Sequence, residues 1–501
     1  MRLLLVMPTG LKVGYDDYFS ASPLGIETLA AHARAHADVV LADMRGKGHG
    51  AEAHAERLLK AEPDMIGISV NSAPHTKCVL ALAEAMKRRQ PDVRILVGGQ
   101  QATFLTEEML SPGYIDAVVR GEGEHTLCEI LSRGDFRGVA GVSWRDDGEI
   151  RHEPDRPLIP DLDAVLLPAR ELLPDRSRYR MGAYRVEGIE ASRGCPYRCS
   201  FCSIRNFHRG KWRPKGVARV MQEVDDLLER YSGPKVIFFA DDNFSHDIAR
   251  VEAICRAIVE RKTDAYFWCQ GRVDLLAKRP EIVEWMGKAH FSAVLMGLET
   301  PNPRLLKESR KGISVEQMQR AVEMLHANDI GVWGTFVLGL PGETREETQA
   351  TADFIPTTGA DVAQITVATP IPGSDLYDQA KAADALTTRD WDSYEFTSPT
   401  MKGQIPKKEM DAIIQRAYRQ VYLSRRFLGS VFSRRTNLHR LRRTALRAFS
   451  SWILFVIKEW FASWLKRRRT ASPPGQADPG AGEKGDGSAA QGPRAPAVSK
   501  A

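Results

Sequence analysis

The feature that most constrains the fold is a regular alternation of short apolar runs and amphipathic stretches over residues 1–150. Each run has the length of one buried strand, and each stretch between runs has the spacing of a helix with one apolar face. Such an alternation predicts parallel βαβ units, and therefore an α/β domain with a doubly wound sheet. The predicted strands are Leu3–Met7, Val39–Ala42, Met65–Val70, Arg94–Val97 and Ala117–Val119. Ligands of such sheets bind beyond the carboxyl ends of the strands.

A second alternation follows a stretch that has no periodicity. Residues 151–185 are rich in Pro and Asp, which predicts a linker. Residues 186–385 predict six βα units, and therefore a (β/α)6 partial barrel with its site at the carboxyl ends of the strands. The predicted strands are Val186–Ala191, Val236–Ala240, Tyr266–Gln270, Ala293–Met296, Gly334–Leu338 and Val362–Thr366.

The C-terminal quarter carries most of the excess positive charge of a chain whose net charge is +6. We expect residues 386–469 to form a helical, basic and amphipathic extension, and residues 470–501, rich in Pro, Gly, Ala and Ser, to be a disordered tail. Residues 448–465 are aromatic and apolar, with arginines on both sides, which favours a helix on an anionic membrane surface. A basic helix packed on the barrel is the alternative. Nucleic-acid binding is disfavoured because the apolar residues are too contiguous.

The N-terminus and the cysteines indicate a reducing compartment. The apolar run before Pro8 is too short for a signal peptide, and no run of about 20 apolar residues occurs. Three of the seven cysteines fall close together and the others are scattered, which is not a disulfide framework. We therefore expect a cytoplasmic protein, peripheral at the inner face of the membrane.

The three clustered cysteines are Cys195, Cys199 and Cys202, spaced C-x₃-C-x₂-C just after a predicted strand. Three thiolates in one loop can hold a four-iron four-sulfur (4Fe–4S) cluster and leave its fourth iron without a protein ligand. One alternative is a structural zinc site with His208 as fourth ligand, although zinc sites favour paired C-x₂-C units. Three unrelated buried cysteines are the other.

With Phe201 before the last cysteine, this loop resembles the signature of the radical S-adenosylmethionine (SAM) superfamily. The resemblance implies that the open iron binds SAM and that electron transfer releases a 5′-deoxyadenosyl radical. It further implies SAM contacts at strand ends, through Asp241, Asp242, Glu299 and Gly339. Arg272 also ends a strand, and either a carboxylate ligand or a structural ion pair fits it.

The N-terminal half resembles the cobalamin-binding domain that precedes the radical domain in one large subfamily. The matching strand ends carry small residues that leave room for a flat macrocycle. They are Ser69, Asn71, Gly98, Gly99, Gly121 and Gly123. The D-x-H-x-x-G motif of cobalamin domains has Arg45 in place of its histidine. Because arginine cannot ligate cobalt, the resemblance implies cobalamin without a histidine ligand from this domain. A dinucleotide site is disfavoured because G-x-G-x-x-G is absent after the first strand.

The combination of the two domains resembles methyltransferases that act on unactivated carbons. The layout is most similar to hopanoid C-3 methylases, so we expect methylation of a membrane lipid, with a reductase, flavodoxin or ferredoxin as electron donor. A magnesium-protoporphyrin ester cyclase is the first alternative, and a non-catalytic cobalamin or metal sensor is the second. No residue is assigned a catalytic role beyond holding these cofactors.

Overall fold

The computed structural model describes residues 1–9, 21–46, 48, 50–173, 175–181, 184–424 and 427. All of them lie in one compact unit, Met1–Phe449. The predicted membrane-surface segment at 448–465, the tail at 470–501 and most of the extension lie outside the described residues. Within the described ranges, none of the helices combines the length and the hydropathy that a membrane span requires.

The first sheet has the strand order β2-β1-β3-β4-β5-β6-β7. Its strands are β1 (Arg2–Met7), β2 (Asp38–Asp43), β3 (Met65–Ser69), β4 (Arg94–Gly98), β5 (Ala117–Val119), β6 (Val142–Asp146) and β7 (Glu149–His152). The first five strands are parallel, as predicted, and β6 and β7 extend the sheet in antiparallel pairing. Helices cover both faces of this sheet, so its central strands are apolar throughout. The helices are α1 (Leu24–Ala33), α2 (Ala51–Leu59), α3 (His75–Arg89), α4 (Gln100–Phe104), α5 (Thr106–Leu110) and α6 (Glu124–Arg133).

Successive residues of β1 supply the cores on the two sides of this sheet. Leu3 and Leu5 pack with the apolar residues of α1 and α6 on one face. Leu4 and Val6 pack with those of α2 and α3 on the other face. Because neighbouring side chains of a strand point to opposite faces, both cores need this continuous apolar run.

The second sheet has the order β16-β15-β14-β13-β12-β9-β8. Its strands are β8 (Arg180–Met181), β9 (Tyr184–Ile189), β12 (Lys235–Phe239), β13 (Tyr266–Gly271), β14 (Phe291–Glu299), β15 (Gly331–Leu338) and β16 (Val362–Val367). The six strands from β9 onward are all parallel and follow one another in chain order, which is the predicted partial barrel. A short antiparallel pair, β10 (Ser192–Arg193) with β11 (Arg213–Pro214), flanks the loop that leaves β9.

Helices follow the strands of the second sheet. They are α7 (Ile204–Phe207), α8 (Val217–Arg230), α9 (Ile248–Glu260), α10 (Val273–Leu276), α11 (Pro280–Lys288), α12 (Pro303–Glu308), α13 (Val315–Ala327), α14 (Arg345–Phe354), α15 (Asp375–Ala382) and α16 (Lys407–Tyr422). Several begin with a side-chain cap: Ser314 and Thr344 each form a capping box that satisfies the first backbone N–H groups of α13 and α14.

Two arginines of the segment between the sheets, the buried Arg170 and the half-buried Arg176, connect them. Arg170 donates to the carbonyl of Gly188 in β9 at 2.6 Å and lies 3.5 Å from Glu27 of α1. Arg176 forms ion pairs with Glu27 and with Glu187 of β9. Through these two arginines, the predicted linker fixes the two sheets against each other.

Candidate functional site

The three clustered cysteines lie in the loop that leaves the carboxyl end of β9. Gly194, just before Cys195, has a φ of +88°, and a Cβ there would lie 2.2 Å from the carbonyl oxygen of Lys211. Only glycine fits this position. The loop turns where the N–H of Cys202 donates to the carbonyl of Cys199 at 3.1 Å, and Ser200 N–H donates to the carbonyl of Ser309.

The chemistry of this loop fits a polynuclear cluster better than a single ion. Among the described residues, no three His, Cys, Asp or Glu side chains lie close enough to share one metal ion. A 4Fe–4S cluster does not require this, because each thiolate binds a different iron. Burial raises the pKa of Cys202 to about 12, so a bound cation is needed to hold that sulfur as a thiolate.

His208 does not support the zinc alternative. Arg213 Nη2 lies 3.2 Å from its Nδ1, which then accepts the hydrogen bond. Its Nε2 lies 3.7 Å from Asp242, and burial lowers the pKa of His208 to about 4. Both ring nitrogens therefore face protein groups, and the imidazole is neutral.

The adjacent aspartates that follow β12 both accept hydrogen bonds from the chain that leads into the cysteine loop. Asp241 is fully buried, and its carboxylate accepts hydrogen bonds from the N–H of Ala191 and the hydroxyl of Ser192. Burial raises the pKa of Asp241 to about 7. Both of its oxygens brace the chain that leads into the cysteine loop, and its contact with SAM stays a prediction. Asp242 also supports that loop, accepting from Gly194 N–H at 3.0 Å.

Two cations lie beside the cysteine loop. Lys311 Nζ pairs with Glu299 Oε1 at 2.6 Å, and the carboxylate raises the pKa of Lys311 although burial opposes this. Arg272 Nη1 lies 4.0 Å from Cys199 Sγ, and its guanidinium lies 3.6 Å from the ring centroid of Tyr197. Arg272 also pairs with Asp274 at 2.9 Å, so its structural ion pair is present. Positive charge next to cysteine sulfur favours the thiolate that a cluster requires.

Glu299 and Gly339 both end strands of the second sheet, as predicted. Glu299 has a φ of +56°, which is unusual for a residue with a side chain, and it is held there by the pair with Lys311. Gly339 has a φ of +73°, and its carbonyl accepts from Gln404 Nε2 at 2.8 Å. Their contacts with SAM stay predictions, as does that of Asp242.

The strand ends of the first sheet form a small-residue edge. Asn71 Nδ2 donates to Ser69 Oγ at 2.9 Å. Gly99 has a φ of +101°, and a Cβ there would lie 2.4 Å from Asn71 Oδ1, so the close approach of the two turns requires glycine. Gly98 pairs with Ser69 and Val119 in the sheet, which aligns three strand ends.

Buried polar atoms without partners fit a large polar ligand at this edge. They are His75 Nδ1 and Thr76 Oγ1 after β3, and Gln101 Oε1 after β4. Buried polar groups are nearly always hydrogen-bonded, so these atoms indicate a missing partner. The amide groups of cobalamin supply both donors and acceptors. At Gly121, which has a φ of +74°, a Cβ would meet nothing within 4 Å, so the backbone there is open.

The loop after β5 also joins the two sheets. Glu122 and Glu124, next to Gly121 and Gly123, pair with Arg193 at 3.0 and 2.6 Å. Burial opposes ionisation, but the hydrogen bond from Arg213 and the charge of Arg193 lower the pKa of Glu122 to about 2. Arg193 is two residues before Cys195, so the predicted cobalamin edge is tied directly to the cysteine loop.

Further contacts bring the two predicted cofactor regions together. Gln100 Nε2 donates to Ser203 Oγ at 2.6 Å, which joins the end of β4 to the residue after Cys202. Asn206 Nδ2 donates to the carbonyl of Gly373 at 2.8 Å, and a Cβ on Gly373 would lie 2.4 Å from the ring of Phe104. The strand ends of the two sheets therefore meet around one loop.

The position of the missing histidine is filled by a buried ion pair. Arg45 donates to Asp43 through Nη2 at 2.8 Å and to the carbonyl of Ala21 at 2.9 Å. Tyr179 donates its hydroxyl to Asp43 at 2.6 Å. Arg45 is thus held by protein groups, in agreement with its inability to bind cobalt.

The comparisons with known proteins agree with this geometry. Models of the radical SAM superfamily and of the B12 binding domain match residues 189–355 and 13–131. An uncharacterized methyltransferase of Pyrococcus horikoshii is 33% identical to this chain, and the alignment covers 84% of this chain and 93% of that protein. The chain belongs to the cobalamin-binding radical SAM methyltransferases. This radical SAM methyltransferase uses a 4Fe–4S cluster, SAM and cobalamin, and the predicted fold class, cofactors and reaction class are confirmed.

Other relatives carry more specific names. The anaerobic magnesium-protoporphyrin IX monomethyl ester cyclase of Rubrivivax gelatinosus is 26% identical, covering 90% of this chain and 82% of that protein. The hopanoid C-3 methylase of Methylococcus capsulatus is 29% identical, and the alignment covers 82% of this chain and 78% of that protein. The radical SAM methyltransferase TsrM of Kitasatospora setae, solved with cobalamin and a 4Fe–4S cluster, shares the fold with a TM-score of 0.68 at 17% identity, covering 90% of this chain and 99% of that chain.

Sequence reasoning missed the residues that connect the two halves of the methyltransferase. Arg193 and Gln100 each contact a group far along the chain, and no local pattern marks them. His75 was also missed, although a lone histidine after a strand end in a cobalamin domain is a usable signal. The two glutamates in Gly-Glu-Gly-Glu at 121–124 are a sequence signal that could have suggested ion pairs with arginines elsewhere in the chain.

Proposed function

We propose that this methyltransferase adds a methyl group to an unactivated carbon of a membrane lipid, and that the lipid is a hopanoid modified at C-3. The observation that carries the proposal is the bonding of the cobalamin edge to the cysteine loop, through Gln100 with Ser203 and through Glu124 with Arg193. A methyl donor and a radical generator held around one loop suit transfer of methyl to a carbon that has lost hydrogen.

The residues of this chain would divide the work. When bound, the cofactors supply the radical and the methyl group. Cys195, Cys199 and Cys202 would hold the cluster, while Arg272 and Lys311 balance its charge. The turns at Ser69, Gly98, Gly99, Gly121 and Gly123 would hold the corrin.

The lipid substrate is supported by the likeness to the hopanoid C-3 methylase and by the aromatic, arginine-flanked stretch at 448–465. A helix at the membrane surface would let a polycyclic lipid pass from the bilayer to the site. We further propose a reductase, flavodoxin or ferredoxin as electron donor, at the cytoplasmic face of the membrane.

The test is an anaerobic assay of the full chain reconstituted with iron, sulfide and cobalamin. The protein is incubated with dithionite, a hopanoid and SAM whose methyl group is deuterated. We expect a lipid heavier by one deuterated methyl group, together with S-adenosylhomocysteine and 5′-deoxyadenosine. A Cys195/Cys199/Cys202→Ala variant is the matched control and forms none of the three.

Parallel reactions, with magnesium-protoporphyrin ester or another lipid class in place of the hopanoid, distinguish the alternatives. Conversion of magnesium-protoporphyrin ester with 5′-deoxyadenosine but without methyl transfer would favour the cyclase. Methylation of another lipid class would refute the hopanoid proposal and keep the reaction. Binding of cobalamin with neither product would favour the sensor.

A further inference from the structure

A cavity of about 470 Å³ lies at the end of the second sheet that is opposite to the cysteine loop. It opens beside Arg185, which is opposite Lys235 in the backbone pairing of β9 with β12, near the start of both strands. The cysteine loop follows Ile189, at the other end of β9. The cavity is therefore separate from the site described above. Five of its lining residues are arginines: Arg170, Arg176, Arg180, Arg185 and Arg230.

Three of these arginines donate hydrogen bonds to carboxylates. Arg170 and Arg176 pair with Glu187, and Arg230 Nη2 pairs with Asp226 at 2.8 Å. They form the walls of the cavity, and their charge is largely neutralised. Arg170 and Arg176 are also the arginines that join the two sheets.

The charge of the remaining two arginines is less well balanced. Arg185 shares the carboxylate of Glu187 with Arg170 and Arg176, at a distance of 3.5 Å. Arg180 and Arg185 are directly opposite each other in the antiparallel pair of β8 and β9. Side chains at such positions project from the same face of a sheet, and like charges there repel. Arg180 is exposed and has no ion pair or side-chain hydrogen bond with any described residue.

Arg185 has a distant ion-pair partner and one guanidinium nitrogen without a hydrogen bond. Its nearest carboxylate oxygen, of Glu187, lies 3.5 Å away, and its buried Nη1 has no hydrogen-bond acceptor among the described residues. Its guanidinium packs 4.3 Å from the ring centroid of Tyr231, which fixes its orientation. Because Nη1 has no closer carboxylate, the positive charge of this guanidinium is only partly balanced within the protein.

We propose that this cavity binds a small molecule through a phosphoryl group held between Arg180 and Arg185. The guanidinium fork matches two phosphate oxygens at once, and two facing arginines balance a doubly charged phosphoryl group. The volume is that of a small-molecule site rather than of a single ion. The ligand rests on the arginines that join the two sheets, away from the cluster, so it is not the substrate of the radical reaction.

The test measures binding of inorganic pyrophosphate to the cluster-reconstituted full chain by calorimetry, at constant ionic strength. We expect saturable binding that weakens at least tenfold in Arg180→Gln. The matched control is Arg320→Gln, which changes an exposed arginine of α13 and leaves the affinity as it is in the unchanged protein. Because Arg180 is exposed, its replacement leaves the core intact. Arg185→Gln is a second variant, which should weaken binding of pyrophosphate in the same way.

A second arm distinguishes a soluble ligand from a lipid headgroup. Binding of phosphatidylglycerol vesicles is measured for the same four proteins, with phosphatidylcholine vesicles as reference. Pyrophosphate binding that requires Arg180 supports a soluble phosphoryl ligand, and vesicle binding that requires Arg180 supports a headgroup. The proposal is overturned if neither probe binds, or if the Arg180 and Arg320 variants bind both probes equally.

Discussion

Replacing Arg193 with leucine tests whether the two halves of the site are joined as the structure indicates. Arg193 pairs with Glu122, Glu124 and Glu190 at 3.0, 2.6 and 2.9 Å. When Arg193 is replaced by leucine, two of these carboxylates still have a cationic partner. Glu122 pairs with Arg213 at 2.8 Å, and Glu190 pairs with Lys215 at 3.6 Å. Glu124, only 5% exposed, has no other ion-pair partner among the described residues.

The expected cost follows from leaving that one carboxylate buried without a partner. Breaking a buried ion pair in this way costs about 3–5 kcal/mol of unfolding free energy. Replacing both partners with apolar residues is often close to neutral. We therefore expect Arg193→Leu/Glu124→Leu to recover more than half of the stability that Arg193→Leu loses.

The assay is urea unfolding of the reconstituted protein, followed by tryptophan fluorescence. The variant should also retain less cobalamin during gel filtration, because Glu124 begins the helix after the Gly121 turn. A loss of less than about 1 kcal/mol in the single variant, or a double variant as unstable as the single one, would refute the reasoning.

Three further changes probe the site. Asp241→Asn should remove a pH dependence of the unfolding free energy. The pKa of Asp241 is about 7 in the folded protein, above its usual 3.8, so the unfolding free energy is at its full value below about pH 4. As the pH rises through 7, the unfolding free energy should fall by up to about 4 kcal/mol. Urea unfolding of both proteins across this range measures it, and parallel curves would contradict it. Gly99→Ala should lower cobalamin affinity at least tenfold, because its Cβ would lie 2.4 Å from Asn71 Oδ1, whereas Gly113→Ala, also at positive φ but facing open space, should bind normally in the same titration. Lys311→Met should lower the cluster's reduction potential by some tens of millivolts, because a cation is lost beside Cys199; a redox titration giving an unchanged or higher potential would count against this.

The sheets could be predicted from sequence because buried parallel strands appear as continuous apolar runs. Each predicted strand of the partial barrel overlaps an observed one, from β9 to β16. The strands β6 and β7 were missed because their sequences, VSWRD and EIRH, are short and polar. They form because β5 leaves an open edge with which β6 pairs.

The site was predictable only where its chemistry is local. The three cysteines lie within eight positions, so their spacing alone identifies the loop. Asp241 and Asp242 look alike in sequence, and only the packing of Ser192 against the first distinguishes their contacts. Arg193 reaches Glu124 across 69 positions, and such a pair cannot be inferred without the fold.

The most direct test of the central claim is an electron paramagnetic resonance spectrum of the anaerobically reconstituted, dithionite-reduced protein, recorded before and after addition of SAM. Three thiolates that leave one iron open predict the signal of a reduced 4Fe–4S cluster, and that signal should change when SAM binds the open iron. No such signal, or a signal that SAM leaves unchanged, would contradict the account.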